Sequence, residues 1–301
     1  MHRPALVFAL LFGTVARADV PHVVTDIPAV HSLALQVMGD LGGVDVLLTQ
    51  GADPHSFQLN PAQARSIAQA DLIFWIGPEL TPWLDRALAG IGTKGTALSL
   101  LHAPGVKELS YDDTEYEEAS EDHAHLHDGI DPHAWLDPEN ARVWISLIAD
   151  QLAEKDPEHA ATYRGNARLA AERIDRLTSE VSTILANAHQ APIIVFHDAY
   201  DYFAQRFDLT IAGSIRVGDA TAPSAAELVA LRNTMRSEQV ACVFTEAQHD
   251  PALAQTVIEG TDIHIAALDP SGSMQPFGPD LYTDMLRSLA TAIADCISGK
   301  G

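Results

Sequence analysis

Short apolar runs alternate with longer amphipathic stretches along most of this chain, a pattern that predicts α/β lobes with parallel sheets. Strand-like runs fall at Pro21–Thr25, Val44–Thr49, Leu72–Ile76, Ile193–Phe196, Thr210–Gly213, Val240–Thr245 and Ile263–Leu268. Helices are expected from near Ile27 to Met38, from Pro61 to Ala68 and from near Trp83, the last after the turn residues 77–82. One stretch is longer than the rest. Tyr163, Ala167, Ala170, Ile174, Leu177, Val181 and Ile184 recur in alternating steps of four and three, a single helical face. Asp156-Pro157 supplies an N-cap and a proline at the first helical position. Residues 156–188 therefore predict a rod of about 45 Å at ~1.5 Å per residue. Such a rod suits a linking helix between an N-terminal lobe, 19–155, and a C-terminal lobe, 189–301.

Residues 1–18 differ from the rest. His2 and Arg3 precede an apolar run from Ala5 to Ala16, and Ala16-Arg17-Ala18 places small residues at the −3 and −1 positions of a cleavage site. This is the pattern of a secretory signal peptide, cut after Ala18. No cysteine near the cut calls for a lipid anchor, and no later run reaches the ~20 apolar residues of a spanning helix. The expected compartment is the periplasm. There, Cys242 and Cys296 are read as a disulfide tying the last helix to the sheet, since no CxxC spacing favours a metal role.

The net charge of the chain is −23, which disfavours nucleic acid and anionic lipid and attracts cations. Removing Arg3 and Arg17 leaves 16 bases against 41 acids, about −25. The acids concentrate in a stretch at about 110–130, together with His123, His125 and His127. That composition predicts a flexible surface loop and an auxiliary metal collector.

Of the 14 histidines, His22, His31, His102, His159, His189, His249 and His264 read as ordinary polar groups. Four other positions stand at strand ends or in proline turns. His55 follows Asp53-Pro54, His133 follows Asp131-Pro132, His197 ends a strand, and Asp269 ends another before Pro270. Ligands in open α/β sheets bind beyond the carboxyl ends of strands, and proline stiffens the backbone that presents each group.

The motifs Gly51-Ala52-Asp53-Pro54-His55-Ser56-Phe57, Ala70-Asp71-Leu72-Ile73, Asp131-Pro132-His133-Ala134-Trp135-Leu136-Asp137-Pro138, Phe196-His197-Asp198-Ala199-Tyr200-Asp201-Tyr202-Phe203 and Phe244-Thr245-Glu246 resemble the zinc/manganese solute-binding proteins of bacterial ABC importers. The resemblance covers essentially the whole mature chain. It implies two α/β lobes joined by one long rigid helix, with metal held between them by His55, His133, His197 and Asp269. It also implies a membrane permease as partner, with a periplasmic zinc metallochaperone as a further candidate, and a monomer that binds its cargo without turning it over. Manganese members place a Glu where this chain has His197. Three imidazoles and a carboxylate favour Zn²⁺, whereas Mn²⁺ prefers more and harder oxygens. The cysteine pair also matches a disulfide of the zinc members. Asp53 and Asp198 are nominated by adjacency to orient the rings, and Glu246 is the spare strand-end carboxylate that a zinc hydrolase would use as base, its plainer role being a structural hydrogen bond. The rival readings are a manganese- or iron-binding homologue, a zinc-dependent hydrolase, and an adhesin.

Overall fold

The computed structural model describes residues 20–111, 129–189, 191–216 and 223–299. The expected signal peptide and His123, His125 and His127 lie outside the described residues.

The N-terminal lobe begins with β1 (Val23–Thr25), α1 (Pro28–Met38) and β2 (Val44–Val46). It continues through α2 (Pro61–Gln69), β3 (Leu72–Trp75), α3 (Pro82–Ile91) and β4 (Thr96–Ser99). Its sheet has the order β2-β1-β3-β4, every pair parallel, with Val23 opposite both Val44 and Leu72. Every side chain of β1 and β3 is buried, as expected of parallel strands covered on both faces. β4 is the strand that the hydrophobic pattern misses. It is a short edge strand whose first two residues are exposed, so it carries no continuous apolar run.

Two helices follow, α4 (Pro138–Lys155) and α5 (Ala160–Ile184), the second entered through a 3₁₀ turn at Pro157–His159. Asp156 starts that turn. Its carboxylate accepts from the His159 backbone N–H and, at 2.9 Å, from the Tyr163 hydroxyl. The predicted face of α5 is buried from Tyr163 through Val181. The regular helix has 25 residues, so it spans about 38 Å and not 45. It is shorter at both ends because the first turn is 3₁₀ and the chain leaves the helix after Ile184 to reach the next strand.

The C-terminal lobe repeats the plan with β5 (Ile193–His197), α6 (Asp201–Phe207), β6 (Ile211–Arg216), α7 (Ala225–Ser237) and β7 (Cys242–Glu246). It ends with α8 (Ala252–Ile258), β8 (His264–Leu268) and α9 (Leu281–Ile297). The strand order is β6-β5-β7-β8, again all parallel. In both sheets the order reverses between two central strands, β1 and β3 or β5 and β7, and a crevice opens beyond the carboxyl ends at such a point. Cys242 on β7 and Cys296 on α9 are disulfide-bonded, as expected.

One buried apolar cluster runs from β1 and α1 across α5 to α9 and the C-terminal sheet. Polar ties reinforce it. Trp135 donates its indole N–H to the Pro270 carbonyl at 2.8 Å, and the Tyr282 hydroxyl donates to the Trp135 carbonyl at 2.8 Å. The Tyr202 hydroxyl donates to the Asp131 carbonyl at 3.0 Å. Arg206 of α6 grips Asp137 through two bonds of 2.7 and 2.9 Å. These ties converge on residues 131–137, so the His133 turn belongs mechanically to both lobes.

Candidate metal centre

Two proline turns present the histidines of the N-terminal lobe. In each, the Asp that precedes the proline accepts the backbone N–H of the following His at 2.9 Å: Asp53 for His55, Asp131 for His133. The His55 turn is pinned from below by Trp83, whose indole N–H bonds to the Pro54 carbonyl at 2.7 Å and whose ring packs on Phe57. His197 needs no turn, because it is the last residue of β5.

These three side chains meet. Their donor nitrogens all lie within 4.8 Å of one another, and His133 and His197 are buried. Carboxylates orient two of the rings. His133 Nδ1 is 2.7 Å from Asp131 Oδ1, and His197 Nδ1 is 2.6 Å from Glu246 Oε1. With Nδ1–H donated to a carboxylate, each Nε2 carries the lone pair and turns to the centre. The two Nε2 atoms are 3.4 Å apart. Two nitrogens at about 2.0–2.1 Å from a tetrahedral zinc are separated by about 3.3–3.4 Å, so the pair already has the edge length of such a site.

Two carboxylates beyond those nominated by adjacency stand behind the rings. Asp131 reaches its own ring across the Pro132 turn, and Glu246 reaches His197 from the neighbouring strand. Glu246 takes the plainer of its two roles, hydrogen bonding, and it also accepts the Tyr200 hydroxyl at 3.0 Å.

Asp269 is not part of the histidine group. Its carboxylate is held by its own loop, accepting from the Ser273 N–H at 2.9 Å, the Met274 N–H at 2.6 Å and the hydroxyls of Ser271 and Ser273 at 3.1 and 3.0 Å. Gly272, at φ +69°, lets the loop curl back, and a Cβ there would sit 2.9 Å from Leu281. Pro270 and Ser271 nevertheless line the cavity of the three histidines.

His249 reads as an ordinary polar group in the sequence but not in the fold. It lies in the turn after β7, its ring stacked on Phe196 at 4.6 Å, and it lines the same cavity. The rule that singled out His197, a ligand type just past a central strand, applies equally here. The cavity has a volume of about 30 Å³, space for an ion or a water and not for an organic substrate. Burial is the main cause that holds His133 below the usual imidazole range. The neighbouring His197 and His55 add to it, and Asp131 opposes it. Burial likewise depresses His249.

Two parallel α/β lobes around a three-imidazole pocket define a solute-binding protein of the metal-importing class. The family described as the periplasmic component A of the zinc-uptake complex matches residues 23–296, and the chain belongs to it. The high-affinity zinc uptake system protein ZnuA of Paracoccus denitrificans is 44% identical over 99% of both chains. The ZnuA of Brucella suis is 36% identical over 92% of this chain and 91% of its own. A crystal structure of ZnuA superposes with a TM-score of 0.76 at 25% identity, covering 93% of this chain and 100% of that one. The family is one of binding components for transport and not of enzymes.

Proposed function

We propose that this protein captures Zn²⁺ in the periplasm and delivers it to the membrane permease of an ABC importer. The observation that carries the reading is the 3.4 Å separation of His133 Nε2 and His197 Nε2, with His55 in the same group. Imidazole nitrogens with carboxylates behind them suit Zn²⁺, and Mn²⁺ would want oxygens in their place. The ligand set is His55, His133 and His197, with Asp269 as the fourth. Asp269 Oδ2, which accepts the Met274 N–H within the 269–274 loop, keeps a lone pair for the ion.

Loading and release then proceed by movement of that loop. The buried ties between the lobes and the helix α5 oppose wide closure. Small-angle scattering of the apo and zinc-loaded protein should give the same envelope, and a large contraction on loading would refute local motion. Residues His123, His125 and His127 gather zinc for the main site. The protein is exported by cleavage after Ala18, acts as a monomer and is open to loading by a periplasmic zinc metallochaperone.

The test is metal analysis with a competition titration on the mature protein. A single zinc per chain is expected, lost in His197→Ala and bound more slowly or weakly when residues 115–127 are deleted. Manganese in the purified protein would overturn the metal assignment.

A further inference from the structure

His249 is a donor that the capture site leaves over. Its backbone N–H bonds to the Glu246 carbonyl at 3.0 Å, which fixes the turn. Its ring lies flat on Phe196, with the planes 17° from parallel. The stacked ring lines the cavity. Its centroid lies 6.5 Å from that of His197, against 5.3 Å for the His133–His197 pair and 5.5 Å for the His55–His133 pair. His249 therefore stands about 1 Å outside the spacing of the cluster. It is also nearer to solvent, its side chain 29% exposed against 11% for His197 and 2% for His133.

Glu246 links the inner and outer positions. Its Oε1 holds His197 and the Tyr200 hydroxyl, while its Oε2 faces His249 Nε2 at 3.7 Å. That gap is too long for a hydrogen bond. It does fit an ion held by a nitrogen and an oxygen at about 2.0–2.2 Å each, which together can span up to about 4 Å. Asp53 lines the same mouth and adds negative charge on the N-terminal side. A zinc enclosed by imidazoles leaves slowly if every bond must break before a new one forms. An incoming donor beside the cluster replaces the bonds stepwise and lowers that barrier.

We propose that His249 is a relay ligand. With Glu246 Oε2 it holds Zn²⁺ in an outer position and passes the ion to and from the three-imidazole cluster. This rests on the zinc-capture reading above. It separates speed from affinity, since an outer position accelerates loading and release alike and leaves the equilibrium nearly unchanged.

The test uses the mature full chain and the variant His249→Phe, which keeps an aromatic ring on Phe196 and removes the nitrogen donors. His249→Leu, measured beside it, serves if the Phe variant does not fold. Stopped-flow transfer of zinc to a chromogenic chelator gives release, and loading of apoprotein from a zinc buffer gives capture. Both rates should fall about tenfold while the equilibrium affinity changes by less than about threefold. The visible spectrum of the Co²⁺ derivative should be unchanged, because the inner ligands are intact. Wild-type rates in the variant would overturn the relay. So would a loss of affinity of about a hundredfold with a changed Co²⁺ spectrum, which would mark His249 as a permanent ligand. Failure of the wild-type protein to take up zinc at all would instead refute the capture reading.

Discussion

Substituting Arg206 by Met removes both arms of the bond that ties α6 to Asp137. The carboxylate left behind is 1% exposed, and the guanidinium stem itself is 30% exposed. Breaking a buried pair by deleting one partner costs about 3–5 kcal/mol, because the remaining charge is neither hydrated nor paired. Two features lower the figure here. The half-open guanidinium site admits water, and Asp137 keeps its bond to the Glu139 N–H at 2.9 Å as the N-cap of α4. The expected loss is therefore about 2–3 kcal/mol. Asp137→Asn should cost less, because no charge is stranded in the interior. In a double-mutant cycle read by urea denaturation of the apoprotein, the coupling should reach about 2 kcal/mol. Zinc affinity should move far less than stability, because Trp135, Tyr202 and Tyr282 still hold the His133 turn. A coupling below about 0.5 kcal/mol would refute the idea that this pair fastens the turn to the second lobe.

Asp131→Asn and Glu246→Gln should each lower zinc affinity by about 10–100-fold, measured by chelator competition, because the rings lose the anionic acceptor behind Nδ1. Unchanged affinity in both would show that the carboxylates do not tune the site. The apoprotein should lose stability as pH falls. Burial holds the folded pKa of His133 below the ordinary imidazole value of about 6.5, so protonation favours the unfolded chain. Its contribution is complete above about pH 6.5 and is lost as pH falls through the depressed folded pKa, and the urea midpoint should follow that course. Zinc affinity should fall in the same direction, since each bound imidazole must be neutral. Replacing Cys242 and Cys296 by Ser opens a loop of 54 residues and should cost about 4 kcal/mol by the chain-entropy relation, read by thermal or urea melting.

Much of this architecture was legible in the pattern of residues. Parallel strands covered on both faces need continuous apolar runs, and those runs located β1, β3, β5 and β7. A helix packed along its whole length needs a strict apolar stripe, and Tyr163 to Val181 supplied it. Where burial was partial, the pattern failed. β4 is an exposed edge, and the last turns expected of α5 gave way to the approach to β5. The proline turns marked His55 and His133, and the end of an apolar strand marked His197, because backbone rigidity is written locally.

The sequence could not determine which groups stand behind those rings. Glu246 is 49 residues from His197 and reaches it only because β5 and β7 are neighbours in the sheet. His249 looked like any surface histidine until the fold stacked it on Phe196 in the lining of the cavity. Asp269 was recognisable as a strand-end carboxylate, but the hydrogen bonds its own loop, curled at Gly272, makes to it were not. Local chemistry and backbone stiffness fixed the three imidazoles and the class of cargo. The hydrogen bonds that aim them, and the donor beside them, depend on which distant strands the fold brings side by side, and only the tertiary structure decides that.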